Sequence, residues 1–299
     1  MSSFGTLLFM YYVPINKNDT FKHFYFIMFS GAISFFASIF LATYPWISIL
    51  WIGFLAFILN YILSRLTFKG PGIFFILMIN GMLSSLTNIP LLNRIYMVFY
   101  VLIGVLIAYF LILFENKLYE NNSISVSIFE ISYANKTNSE INEIIIKSLI
   151  NSIFIFIAYY VGYNLQLKNY YWVLVASIVV LQEETIQNAF KKQIMYILAA
   201  ISGCIISFII YSYINNILVL VLIACVLMFL ICYFMPKNYL IGNLFTTPIA
   251  LILFRLFNPN TATDLIYSRI INILIGTCIG IIGIIVFSRF QRTIDKHKI

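Results

Sequence analysis

The sequence predicts an all-α, polytopic integral membrane protein, and three observations carry that prediction. Hydrophobic residues make up 62% of the 299 positions and charged residues 9%, against about 25% charged in a soluble domain. The apolar residues fall in long runs, several near the length a helix needs to cross a hydrocarbon core of about 30 Å. The basic residues collect on one side of those runs, as they do in cytosolic loops. A core of this size could not hide so much apolar surface from water, so the bilayer is the solvent.

The runs give about ten spans. Residues 4–14 are apolar but too short to cross as a helix, and they lack the positive n-region and cleavage site of a signal peptide. The first span is expected at 24–42. Tyr44-Pro45 turns the chain into the second, at 46–64. Arg65 and Lys69 close it, and Gly70-Pro71-Gly72 breaks the helix. A shorter third span, 73–86, carries Asn80, Ser84 and Ser85, and a fourth covers 94–114. Residues 115–146 then turn polar, with Glu115, Glu120, Glu130, Glu140 and Glu143 among many Asn and Ser. Alternation over 124–129 is a weak strand signal. The second half holds six spans, at 148–167, 170–182, 193–213, 217–235, 239–257 and 270–287. This division gives a membrane repeat over 1–114, a cytosolic linker over 115–146, a second membrane repeat over 147–289 and a cytosolic tail over 290–299.

Placing the tail, with Arg289, Arg292, Lys296 and Lys298, in the cytosol puts all but four of the 18 basic residues inside. The four outside are Arg94, Lys168, Arg255 and Arg269. The net charge of +8 is therefore read as loop asymmetry and not as a nucleic-acid surface. Cys204, Cys225, Cys232 and Cys278 lie in apolar runs without metal-ligand spacing and are expected to be small buried residues. His23 and His297 are too few for His-based zinc chemistry, and no cofactor is expected. The sequon Asn135-Lys136-Thr137 falls on the cytosolic side and reads as a chance match.

A shift of 172 residues lays the first half on the second without a gap. Ser30-Gly31 meets Ser202-Gly203, Tyr61 meets Tyr233, and Arg65 meets Lys237. Gly70 meets Gly242, and Leu102-Ile103-Gly104 meets Leu274-Ile275-Gly276. Matched helices have the same orientation, so the expected repeat is parallel, about an axis along the membrane normal. Gly276-Thr-Cys-Ile-Gly280 is a small-xxx-small face suited to close helix packing.

Tyr171-Trp172…Val180-Leu181-Gln182 resembles the Tyr-Trp…Val-Leu-Gln block of the fusaric-acid-resistance (FUSC-type, aromatic acid exporter) family. Lys191-Lys192 leads into a helix with Ser202-Gly203, where that family commonly has an Arg-rich start and a Gly-Thr pair. Arg269…Leu274-Ile275-Gly276 resembles the pattern of its last helix. The resemblance covers about 145–289, and reaches 20–114 through the repeat. It implies a bacterial inner-membrane transporter of two six-helix halves that exports aromatic carboxylates or other small organic anions. Glu183 stands where the family has Pro, and 115–146 is shorter than the family's cytosolic region. The first half lacks a counterpart of 148–167, so either an N-terminal helix has been lost or this is a shortened member.

Each candidate site residue has two readings. Arg269 and Arg94 start the last span of each half. They are either carboxylate-binding groups or charges that snorkel or pair, Arg269 with Asp264 for example. Glu183 and Glu184 either take up the proton that drives export or pair with Lys191 or Lys192. Tyr171 and Trp172 either stack on an aromatic substrate or sit at the membrane interface. Gln182 either contacts substrate or ties helices together. Asn80, and Asn243, Thr246 and Thr247 before Pro248, either line a broken transporter helix or satisfy a proline kink themselves. No Walker A, Asp-rich or His-Glu-x-x-His motif supports an enzyme, and ATP would have to come from a partner. The expected partners are a small organic anion, protons and the bilayer, with a homo-oligomer open. The expected activity is proton-driven anion efflux. A non-transporting scaffold and an uncoupled anion channel remain the alternatives.

Overall fold

The computed structural model describes residues 1–11, 17–66, 71–120, 137–183, 185–235, 237–257 and 262–297. Among these every regular element is helical: α1 (Ser2–Thr6), a 3-10 turn (Leu7–Tyr11), α2 (Lys17–Leu41), α3 (Pro45–Arg65), α4 (Phe74–Ser84), α5 (Leu91–Glu120), α6 (Asn138–Asn164), α7 (Tyr171–Leu181), α8 (Ile186–Tyr213), α9 (Ile217–Phe234), α10 (Tyr239–Phe257) and α11 (Ala262–His297). The weak strand signal at 124–129 lies outside the described residues.

Among the described residues, seven helices are long and apolar enough to cross a membrane: α3, α5, α6, α8, α9, α10 and α11. The apolar part of α2 (Ile27–Leu41), α4 and α7 are shorter. At about 1.5 Å per residue, eleven-residue α4 and α7 reach roughly 17 Å. Every residue of α7 is buried. A helix that is apolar on all sides belongs in an interior, and α7 has no solvent- or lipid-facing side. In contrast, α9 buries Leu220, Ala224, Leu227 and Ile231 along one stripe and turns its other apolar residues outward, as a helix facing lipid does.

Local chemistry sets several helix ends. Pro45 occupies the first turn of α3, where its missing N–H costs nothing. Thr137 and Glu140 form a reciprocal capping box at α6: the Thr137 N–H donates to Glu140 Oε2 at 2.8 Å and the Glu140 N–H to Thr137 Oγ1 at 3.4 Å. Thr185 and Asn216 cap α8 and α9 through their side-chain oxygens.

The chain forms two compact units, Met1–Tyr160 and Val161–Ile299. The division falls within α6 and not in the polar 115–146 segment. Phe156 packs on Gly53, Tyr160 lies 5.7 Å from Trp46 ring to ring, and the Tyr159 hydroxyl donates to Gly81 O at 3.0 Å. These contacts hold most of α6 in the first unit.

In the first unit, α1 packs on α5 through Gly5 and Gly104. A Cβ on Gly104 would collide with Ser2 O and one on Gly5 with Val101 O. In the second unit, α7 packs on α11 through Gly276, whose Cβ would collide with Val173 O, and Gly280, whose Cβ would lie 2.9 Å from Ser177 O. The small-xxx-small face is thus the seat of α7. Gly203 of α8 faces Leu244 O, Thr247 and Pro248 of α10. Cys204 is buried, whereas Cys225, Cys232 and Cys278 are exposed. That corrects the expectation of four buried thiols: outward surface in these helices is apolar too, and a Cys fits there equally well.

Candidate functional site

The second unit contains a buried cation without a carboxylate partner. Arg269 sits on α11 two turns in from its start and is 3% exposed. Its guanidinium carbon lies 3.3 Å from the centre of the Trp172 ring. Trp172 and Tyr171 open α7, with ring centres 4.9 Å apart. Tyr196, 4% exposed on the face of α8 that packs on α11, interacts electrostatically with the guanidinium. Arg269 Nε and Nη1, and the Tyr171 hydroxyl, are buried without a hydrogen-bond partner.

Two acidic side chains are described in this unit, and both are engaged elsewhere. Asp264 pairs with Lys168 at 2.5 Å and Glu183 with Lys192 at 2.6 Å. The Arg269–Asp264 pair is therefore not formed. An uncompensated buried charge costs several kcal/mol, and a cation–π contact returns about 2 kcal/mol at best. An anion at the free guanidinium nitrogens would restore the balance through charge-assisted hydrogen bonds.

Trp172 is held in place by the turn before α7. Asn272, one turn after Arg269, donates through Nδ2 to Lys168 O at 2.9 Å and Asn169 O at 3.2 Å. The Trp172 N–H donates to Asn169 O. Gln166 and Asn169 adopt positive φ, conformations that favour Asn over most side chains. The Lys168–Asp264 pair fastens the same turn to the start of α11.

The other sequence-predicted residues lie in different surroundings. Arg94 is as buried as Arg269, at 5% exposed, but it is saturated. Its Nε donates to Ile89 O at 2.6 Å and Nη2 to Thr87 O at 2.8 Å. Its Nη1 donates to Ile39 O and Thr43 Oγ1. Asn80 is also saturated: it accepts from Ser38 Oγ at 2.6 Å and donates to Ser34 Oγ and Ile76 O. Trp51 Nε1 donates to the same Ser38, so this cluster ties α2, α3 and α4 together.

Helix α10 runs unbroken through Pro248. The Thr246 hydroxyl bonds to Asn243 O and Oδ1, both at 2.7 Å. Thr247 is buried against Gly203, and Asn243 Nδ2 has no partner. Gln182 is exposed at the end of α7. Glu183 and Lys192 are about one-fifth exposed, and Glu184 lies outside the described residues. The fold thus gathers Arg269, Tyr171 and Trp172 into one site and adds Tyr196, which sequence reasoning missed. A signal for it existed. The buried face of α8 is otherwise Ala189, Ala199, Ala200, Gly203, Cys204 and Ser207, and one Tyr among such small residues is out of place unless its hydroxyl has a partner.

A multi-pass helical membrane protein with a buried arginine stacked on a tryptophan is the class these features define. Residues 154–283 match the family model described as fusaric acid resistance protein-like. This supports the FUSC-type family indicated by the Tyr171-Trp172…Leu181-Gln182 block, and the matched segment includes Arg269, Trp172 and Tyr196. No curated protein and no solved structure matches the chain.

Proposed function

We propose that the protein is an efflux transporter for small organic anions, aromatic carboxylates among them, in a bacterial inner membrane. One observation carries this reading: Arg269 is buried on the face of Trp172 with two nitrogens unpartnered and no carboxylate beside it. A carboxylate would supply the missing charge, and an aromatic ring joined to it would lie among Tyr171, Trp172 and Tyr196. Proton entry drives export, with Glu183 taking the proton at the cytosolic end of α7. The C-terminus is cytosolic.

The architecture is ten membrane helices in two parallel repeats. Its support is the order of elements. The 3-10 turn with α1, then α2, α3, α4 and α5, precede α7 to α11 at the 172-residue offset. The glycine-mediated contact of α1 with α5 recurs between α7 and α11, where Gly104 corresponds to Gly276.

The test is uptake of radiolabelled 4-hydroxybenzoate into inside-out vesicles containing the purified protein, with and without an imposed proton gradient. Gradient-dependent accumulation that disappears in Arg269→Ala is the expected result. Gradient-independent flux would replace the coupled transporter with a channel. A folded wild-type protein that moves none of several aromatic acids would overturn the substrate class.

A further inference from the structure

Arg269 is one end of a line of polar groups that reaches the surface of the second unit. Tyr196 is 4% exposed on the face of α8 that packs on α11, and Tyr239 opens α10, which also packs on α8. The Lys192 ammonium stands 5.3 Å from the centre of the Tyr239 ring and 2.6 Å from Glu183 Oε1. Lys192 is one helical turn before Tyr196 on α8, about 6 Å along the axis. Exposure falls along this set, from Glu183 and Lys192 at about one-fifth, through half-buried Tyr239, to Tyr196 and Arg269 at 4% and 3%. Two cations sit at different depths with two tyrosines between them, and the shallower one is occupied by a carboxylate of the chain itself.

We infer that Lys192 is a second anion-binding point on the route to Arg269, and that Glu183 is its built-in occupant, displaced when a carboxylate ligand enters. The inference rests on the reading of Arg269 as a carboxylate site. The chemistry is an exchange of like for like. Glu183 and the ligand each offer carboxylate oxygens to one ammonium. The Lys192–Glu183 pair keeps about one-fifth exposure on both sides, so displaced Glu183 can be solvated and the exchange does not strand a charge. The ligand then passes from a mobile ammonium to a fixed guanidinium, with the two tyrosine hydroxyls as hydrogen-bond partners on the way. A pair that merely joined the end of α7 to the start of α8 would make the opposite prediction, because weakening it could only loosen the site.

The test is equilibrium binding of benzoate to the full-length protein in detergent, read by tryptophan emission. Trp172→Phe serves as the control that removes the reporter. Glu183→Gln, which keeps the side-chain shape, is expected to tighten benzoate binding by about fivefold, the scale of a partly exposed ion pair. Lys192→Gln is expected to weaken it by a similar factor, and Lys192→Arg to restore it. The gain from Glu183→Gln should shrink when Lys192 is also Gln. Unchanged or weaker binding in Glu183→Gln, in a protein where Arg269→Gln has lost benzoate, would overturn the role of Lys192 while leaving Arg269 in place. Wild-type affinity in Arg269→Gln would instead overturn the reading of Arg269 on which it rests.

Discussion

Arg94 and Arg269 occupy similar places near the starts of α5 and α11, and the chain treats them in opposite ways. Both are almost fully buried. Arg94 makes four hydrogen bonds, three of them to main-chain carbonyls of the α2 end and of the segment before α5. Its charge is spent on holding three pieces of chain together. Arg269 stacks on Trp172 and keeps two nitrogens free. A guanidinium has five donors in a fixed fork, so it costs most when its neighbours do not fill them. The contrast is that every nitrogen of Arg94 is engaged by the protein, whereas two nitrogens of Arg269 are not, which is what the proposed ligand role of Arg269 rests on.

Substitution at the two positions should separate these roles most sharply. Arg269→Ala should reduce benzoate affinity by about 100-fold, the loss of a charge-assisted, bidentate-capable contact. Its thermal stability should be unchanged or higher, because an uncompensated charge has gone. A large fall in melting temperature with intact binding would break the comparison from that side. Arg94→Ala should do the reverse. It leaves the buried carbonyl of Ile39 and the half-buried carbonyls of Thr87 and Ile89 without their donor, at about 2–4 kcal/mol in all, while the folded fraction binds benzoate as before. Thermal unfolding followed alongside the titration reads both effects.

The glycine seats give a smaller version of the same contrast. Gly276→Val forces α7 away from α11 at Val173 O, and Gly104→Val forces α1 from α5 at Ser2 O. Each should cost about 1–3 kcal/mol of stability. Gly276→Val should also weaken benzoate binding, because Trp172 moves with α7, and Gly104→Val should not. The smallest effect belongs to Trp172→Phe. A Phe ring holds a cation less well than Trp, by about 1 kcal/mol or less, so benzoate affinity, measured calorimetrically in this variant, should shift about fivefold or less.

Much of the fold was legible in the residues. Tyr44-Pro45 and Pro71-Gly72 mark helix ends by backbone chemistry that needs no tertiary context, whereas the Thr137–Glu140 cap, which starts α6 inside the expected linker, was missed. The stretch 173–181, apolar but for Ser177, indicates a short membrane helix, and α7 forms there, buried on every side. The site was legible in part. Arg269 and Trp172 stood out because a charge and a large aromatic near apolar spans are costly or conspicuous. Tyr196 did not stand out, because 21 tyrosines are scattered through the chain and its role depends on which face of α8 meets α11. The pairing of Lys168 with Asp264, 96 residues apart, had no local signal either.

Hydropathy and turn residues by themselves determined the helical membrane class and the approximate limits of the spans, because those properties act within a few residues along the chain. The tertiary structure decided which charges meet. It spent Arg94 on carbonyls, gave Asp264 to Lys168 and Glu183 to Lys192, and left Arg269 facing Trp172. Electrostatic partnership depends on distance in space, and in a bundle of apolar helices that distance is set by glycine contacts and side-chain packing, such as Gly276 and Gly280 against α7.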